Sequence, residues 1–212
     1  MNLRRWCLWW LLTASSVAFA QEMNSDFSLS ILSNIPRHSS GSNHGSVVSV
    51  DSTIAGGFAA NYRRNIGSRY GVELGYSYTR GMFYYNDDET ATNGGIIFHN
   101  QGSNIHDLSG AFVYRYNRSF HRIQPFALGG GGVVIFRPTS SSSNTLVAAT
   151  TQARGMYLYG GGADYPLKGR LTVRAEFRVV NYIKAPDFFG TGLKTYGRMG
   201  NFVPQLGIAY HF

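Results

Sequence analysis

The C-terminal residues Gln205-Leu206-Gly207-Ile208-Ala209-Tyr210-His211-Phe212 show the alternation that decides the fold. In a β-strand, successive side chains point to opposite faces, so the large apolar residues at even positions share one face. The small or polar residues at odd positions share the other face. The pattern predicts a strand with one apolar face. The edge of such a strand should be paired, and closing a barrel pairs it.

This octet also resembles the C-terminal signal of bacterial outer-membrane β-barrel proteins. The matching features are a polar residue, a glycine two positions later and two aromatics at alternate positions, here Gln205, Gly207, Tyr210 and Phe212. In that family the segment is the last barrel strand and is recognised by the machinery that inserts the barrel into the membrane. The resemblance implies the barrel assembly machinery and periplasmic chaperones as partners. The alternative is a soluble C-terminal edge strand.

The N-terminal residues predict a secretory signal peptide. Arg4-Arg5 precedes an apolar run over residues 6–17, and Ala18-Phe19-Ala20 supplies the small residues of a cleavage site. We expect cleavage before Gln21. The run is shorter than the ~20 apolar residues of a membrane-spanning helix, and an uncleaved anchor is the alternative.

The composition is typical of a membrane β-barrel. Aromatic residues make up 15% of the chain and charged residues 14%. After residues 1–20, the signal peptide, we expect one barrel domain over residues 21–212. The only cysteine, Cys7, lies in the signal, so no disulfide or thiol chemistry is expected in the mature domain. The arginines are scattered, which gives little support for nucleic-acid binding.

Eight segments carry strand signals, and the connections between them alternate long and short. The predicted strands are 27–32, 53–63, 70–85, 105–116, 123–136, 153–165, 171–182 and 205–212. The long connections, read as loops, include residues 35–52 and 86–104. Outer-membrane barrels keep short turns in the periplasm and long loops outside. We therefore predict an all-β, eight-stranded antiparallel up-and-down transmembrane barrel.

The strand pattern, including Ala175-Glu176-Phe177-Arg178, resembles small eight-stranded families. These are typified by the transmembrane domain of outer membrane protein A and by outer membrane proteins X and W. The resemblance implies an integral outer-membrane location, a cell-envelope role and contact with outer-membrane lipids. It covers the whole predicted mature chain, and only the C-terminal octet is a specific motif. We expect no separate peptidoglycan-binding domain within residues 21–212.

An eight-stranded barrel is just wide enough for side chains to fill its interior, so we expect a packed polar core. Inward-facing charged residues should form a paired network, because an unpaired charge there would cost several kcal/mol. We expect Glu73 and Arg174 to approach each other across the lumen. The predicted members are Arg63, Glu73, Arg115, Arg174, Glu176 and Arg178. A gate that opens is the alternative to a permanent plug.

Both ends of the barrel carry expected lipid contacts. Tyrosines near the strand ends should form two interfacial girdles, with Tyr182 in the outer one. Cationic residues at the outer rim are candidate partners for lipopolysaccharide phosphates, although solvated surface charges are the alternative. These residues are Arg80, Arg137, Lys184, Lys194 and Arg198.

Two features do not fit a simple strand pattern. Pro125 and Pro204 each remove a ladder hydrogen bond, so both should lie near strand ends or bulges. The glycine runs 129–132 and 160–162 hide which residues of their strands face inward. We read these runs as close strand packing or a thin part of the wall.

The sequence favours a non-enzymatic barrel with a structural or surface-interaction role, such as membrane anchoring, adhesion or protection. The loops contain His38, Ser39, Ser40, His44 and Asp51, but no spacing there places a nucleophile beside a base. No cofactor or metal site is predicted, and a monomer is expected. The alternative is a narrow, porin-like passage for small or apolar solutes. A lipid A modifying enzyme is the further alternative.

Overall fold

The computed structural model describes residues 25–37, 39–43, 46–88, 96–116, 122–139, 150–186 and 199–212. The predicted signal peptide therefore lies outside the described residues. Ten strands form one antiparallel sheet. They are β1 (Ser25–Pro36), β2 (Ser39–Asn43), β3 (Ser46–Ser52), β4 (Ala55–Ile66), β5 (Tyr70–Asp88), β6 (Ile96–Arg115), β7 (Gln124–Pro138), β8 (Gln152–Pro166), β9 (Leu171–Tyr182) and β10 (Met199–His211).

Eight of these strands close into a barrel. Their order is β5-β4-β1-β10-β9-β8-β7-β6, and β6 pairs back onto β5. The closing pair of β1 and β10 runs from Asp26 opposite His211 to Pro36 opposite Asn201. The predicted eight-stranded antiparallel barrel is confirmed.

The alternation in the C-terminal octet sets the facing of β10. Leu206 and Ile208 are 53% and 54% exposed on the outer surface, whereas Ala209 is fully buried in the lumen. The same two-residue period holds along β1, β4, β5 and β9. Apolar side chains therefore cover the surface that would meet lipid, which is the reverse of a soluble protein.

Two segments that were predicted as loops contain strands, so that part of the prediction was wrong. β2 and β3 lie within residues 35–52, and β5 and β6 continue through most of residues 86–104. β5 has 19 residues and β6 has 20, whereas a transmembrane strand needs about 9–11. β2, β3 and the outer parts of β5 and β6 pair in that order and form a sheet that extends the barrel wall, here called the outer sheet. The sequences of β2 and β3 are serine-rich and show no regular alternation of apolar and polar residues, so they read as loop.

The glycine runs of β7 and β8 bring neighbouring strands close together. A Cβ atom at Gly130 would overlap the carbonyl oxygen of Gly110, and one at Gly132 would overlap that of Leu108. On either side of the glycines of β7, the side chains of every second residue are buried in the lumen. These residues are Phe126, Leu128, Val134 and Phe136. The interpretation as close strand packing therefore holds, and the facing of β7 is now clear.

The two prolines differ in position. Pro125 is the second residue of β7, near a strand end as expected. Pro204 lies inside β10, where the ladder to β1 is interrupted between the pairs Leu32 with Gln205 and Ile35 with Phe202. Proline has no amide hydrogen to donate, which explains a break at this point.

Candidate functional site

Eight charged side chains from six strands meet in the half of the lumen nearest the short turns. This lumen cluster contains four arginines and four carboxylates, so its formal charges cancel. Its members are Asp26, Arg63, Glu73, Arg115, Asp164, Arg174, Glu176 and Arg178. All except Arg115 are buried.

Glu73 lies at the centre of one half of the lumen cluster. Its Oε2 accepts hydrogen bonds from Nη2 and Nε of Arg63 on the adjacent strand, at 2.7 and 2.9 Å. Its Oε1 accepts from Nη2 of Arg178, at 2.7 Å, across the lumen from β9. The Nε of Arg178 also donates to Glu176. Glu73 therefore ties β4 and β5 to the opposite wall.

Arg174 lies at the centre of the other half. Its Nε and Nη2 donate to the two carboxylate oxygens of Asp164, at 2.7 and 3.0 Å, and its Nη1 donates to Asp26 at 2.9 Å. Arg115 Nη2 lies 3.4 Å from Asp26 Oδ2. Arg63 Nη1, 3.7 Å from Asp164 Oδ2, links this half to that of Glu73. The two halves form one continuous network.

Glu73 and Arg174 were expected to approach each other across the lumen, but each side chain bonds other partners. Glu73 bonds Arg178, while Arg174 bonds Asp26 and Asp164. Residues at equal positions along two strands need not lie at equal depth, because barrel strands tilt by about 35–45° and are staggered in register. All six predicted members do belong to the lumen cluster.

Sequence reasoning missed Asp26 and Asp164. Asp26 precedes Phe27 in the alternation of β1, so its inward facing could have been read from the pattern. Asp164 follows the glycine run of β8, where the facing could not be assigned. Without these two carboxylates, the predicted set of four arginines and two glutamates was unbalanced.

The half of the lumen nearest the long connections contains buried aromatic and aliphatic side chains as well as buried polar ones such as Thr79, Gln101 and Asn201, so the expected polar interior is only part of what fills the lumen. Phe83, Phe136 and Tyr182 come from β5, β7 and β9 and meet edge to face, with ring centroids 5.8 and 5.4 Å apart along the row. We call these three rings the aromatic layer. Each is at most 1% exposed. Tyr182 therefore faces the lumen and not the outer girdle, because it has the same parity as Arg174 and Arg178.

Little space is left inside the barrel. A cavity of ≈ 20 Å³ is lined by Asn61, Asp107, Gln205 and Arg178 of the lumen cluster, together with apolar side chains such as Met156. A volume of this size holds about one water molecule. Within the described residues, side chains cross the lumen at two levels, which are the lumen cluster and the aromatic layer.

The outer-rim cations are only partly brought together. Arg80 on β5 is in register with Asn104 on β6, and Asn104 is in register with Arg137 on β7. Both arginines are exposed. Lys184 is exposed just after β9, and Lys194 and Arg198 lie outside the described residues. Arg80 also lines a polar cleft of ≈ 420 Å³ with Asn100 and Thr139 from neighbouring segments.

The four residues that match the C-terminal signal lie in β10 or, for Phe212, directly after it. Tyr210 and Phe212 point outward and are about half exposed, whereas Gln205 points into the lumen and is 7% exposed. Gly207 packs so closely on β1 that a Cβ atom would overlap the carbonyl oxygen of Leu29.

The tyrosines expected in the inner girdle, at the strand ends near the short turns, point outward. They are Tyr62, Tyr70, Tyr114, Tyr116, Tyr165 and Tyr210.

The described ranges also bear on metal binding and on membrane-spanning helices. There, no group of three or more His, Cys, Asp or Glu side chains is arranged to hold a metal ion. In the same described ranges, no helix has the length and hydropathy needed to cross a bilayer.

A closed barrel with an apolar outer surface and a charge-balanced interior is the architecture of an outer-membrane protein. The family model of the outer membrane protein beta-barrel domain matches residues 8–212, and the chain belongs to this family. Membership of the family supports an outer-membrane location. No curated protein sequence matches the chain.

Solved structures of outer-membrane barrels share the fold. The outer membrane protein OprG from Pseudomonas aeruginosa is 14% identical, with a TM-score of 0.61, covering 89% of this chain and 96% of that chain. A major outer membrane protein from Thermus thermophilus is 16% identical, with a TM-score of 0.57 and coverages of 89% and 99%. Neisserial surface protein A (NspA) is 10% identical, with a TM-score of 0.51 and coverages of 88% and 97%. Identities this low show a common fold alone.

Proposed function

We propose that this protein is a non-enzymatic integral barrel of the outer membrane that acts through its outer surface. In this role it anchors in the membrane after cleavage of its signal peptide and presents the outer sheet for adhesion or surface protection. The observation that supports the proposal is the closed lumen. In the part of the chain that the structure describes, the lumen cluster crosses one half of the lumen and the aromatic layer crosses the other, so both levels obstruct a polar solute.

The outer sheet is the surface that we assign to this role. β5 and β6 exceed the length of a transmembrane strand by about nine residues. At about 3.3 Å per residue, this excess corresponds to a projection of about 30 Å along the strands. A paired sheet that continues the barrel wall would then meet a partner outside the cell.

Lipopolysaccharide is the partner that we propose at the outer rim. Arg80 and Arg137 flank Asn104 in register on three adjacent strands. Neighbouring residues across paired strands have Cβ atoms about 5 Å apart, so the two arginines present their charges on one small patch. Arginine binds phosphate oxygens through paired hydrogen bonds, which suits the phosphates of lipid A.

The proposal predicts a silent barrel. In planar bilayers, the purified protein should give no single-channel steps, and liposomes that contain it should swell in sugar solution no faster than protein-free liposomes. Glu73→Ala should also be silent, because the aromatic layer still crosses the lumen. Steps or swelling with the wild-type protein would contradict the closed lumen, and steps with Glu73→Ala alone would show that the lumen cluster is a gate.

A narrow passage for apolar solutes is the second candidate, and the break at Pro204 favours it. The interrupted stretch of the β1 and β10 ladder adjoins a groove of ≈ 310 Å³ on the outer wall, lined by Ser33 and Pro204. In this second candidate, an apolar solute leaves the half of the lumen that holds the aromatic layer sideways at this point. Faster entry of a hydrophobic fluorescent dye into cells that express the protein, lost with Pro204→Val, would support this function over the first.

A further inference from the structure

The rim at the short turns is strongly cationic. Five cationic side chains on this rim are exposed, and they belong to Arg64, Arg69, Arg122, Lys168 and Arg170. Among the described residues of the same rim, no Asp or Glu side chain is exposed, because Asp26 and Asp164 are buried in the lumen cluster. In outer-membrane barrels the short turns lie in the periplasm. The rim therefore presents positive charge to the inner leaflet of the outer membrane.

A large apolar groove opens on the outer wall above this rim. It has a volume of ≈ 910 Å³ and lies where β1 meets β10, flanked by β4 and β9. Its walls are outward-facing side chains such as Phe27, Leu29, Ile208 and Tyr210. Because these side chains lie on the lipid-facing surface, the groove suits a hydrocarbon chain.

Tyr210 connects the groove to the cationic rim. Its ring lines the groove, and its hydroxyl accepts a hydrogen bond from Nη1 of Arg170 at 3.4 Å. The backbone carbonyl of Arg170 accepts a hydrogen bond from the amide of His211, at 2.9 Å, which holds the turn against β10. An apolar groove therefore ends at an exposed guanidinium group.

We propose that this corner of the barrel binds an anionic phospholipid of the periplasmic leaflet. The phosphate lies at Arg170, beside the Tyr210 hydroxyl, and one acyl chain lies in the groove between β1 and β10. The other rim cations attract the anionic headgroup without contacting it. A neutral, zwitterionic phospholipid would gain the contacts of the groove but less of the attraction from the rim.

Native mass spectrometry of the folded, full-length mature protein tests this site. The probes are dioleoyl phosphatidylglycerol and dioleoyl phosphatidylcholine, offered at equal concentration in detergent at low salt. We expect the wild type to retain more phosphatidylglycerol than phosphatidylcholine. Arg170→Gln should lower the retention of phosphatidylglycerol about fivefold, the effect expected for one cation near a lipid surface.

Two further variants separate the site from general effects. Arg37→Gln removes an exposed cation just after β1 at the opposite rim, outside the proposed lipopolysaccharide patch, and should leave retention unchanged. Val173→Trp fills the groove and should lower the retention of both lipids, with folding checked by the mobility shift between boiled and unboiled samples. Equal retention of the two lipids by the wild type would overturn the proposal, and so would equal losses in Arg170→Gln and Arg37→Gln. If Val173→Trp does not fold, the comparison of the two arginine variants still tests the proposed phospholipid site.

Discussion

Replacing Arg174 with methionine is expected to lower the free energy of unfolding by about 3–5 kcal/mol. The change removes four hydrogen bonds, three of them to carboxylates, and leaves Asp26 and Asp164 buried without their principal partner. Arg115 and Arg63 lie 3.4 and 3.7 Å from these carboxylates and compensate only in part. Urea unfolding in lipid vesicles, followed by far-UV circular dichroism, measures the loss.

Two companion variants show whether the loss comes from the unpaired charge. Arg137→Met removes an exposed arginine at the outer rim and should cost less than about 1 kcal/mol. Adding Asp164→Asn to Arg174→Met should recover part of the stability, because one stranded carboxylate becomes neutral. Additive losses in the double variant would show that the two side chains do not interact as the structure describes.

Phe136→Ala should lower the free energy of unfolding by about 3–5 kcal/mol. Phe136 is fully buried and contacts Phe83 on one side and Tyr182 on the other. Its loss opens a cavity in the aromatic layer that the barrel wall, held by hydrogen bonds, cannot collapse to fill. The same unfolding assay measures the effect.

Phe177→Ala is the matched control for this cavity. Phe177 is on β9 but faces outward and is 46% exposed. Its removal loses the transfer free energy of the ring, but lipid chains fill the space, so no cavity remains. We expect a smaller loss than for Phe136→Ala. Equal losses would mean that the aromatic layer is not a packed core.

The strands that sequence reasoning assigned best are those with side chains at every position. In β9, Arg174 and Arg178 alternate with outward residues such as Phe177, so a period of two is visible in the sequence. In β7, residues 129–132 are all glycine and carry no side chain to indicate a face. The inward facing of Phe136 was therefore not predicted.

The outer sheet and the pairing within the lumen cluster were missed for other reasons. The sequence of the outer sheet has polar residues at both odd and even positions, so hydrophobic periodicity does not separate it from a loop. The partners of Glu73 and Arg174 depend on the stagger between strands. That stagger is a property of the closed barrel and is not visible in any single strand.

The central claim, that β1 and β10 close the barrel in lipid, is tested by a disulfide across their seam. Leu29 and Ile208 are in register and face outward. Paired residues have Cα atoms about 4.5–5.5 Å apart, within the range that a disulfide spans. In a Cys7→Ser background, Leu29→Cys with Ile208→Cys should form an intramolecular disulfide in membranes under mild oxidation. Leu29→Cys with Val133→Cys, four strands away on β7, should not. Failure of the first pair to cross-link, or equal cross-linking of both pairs, would contradict the closed barrel.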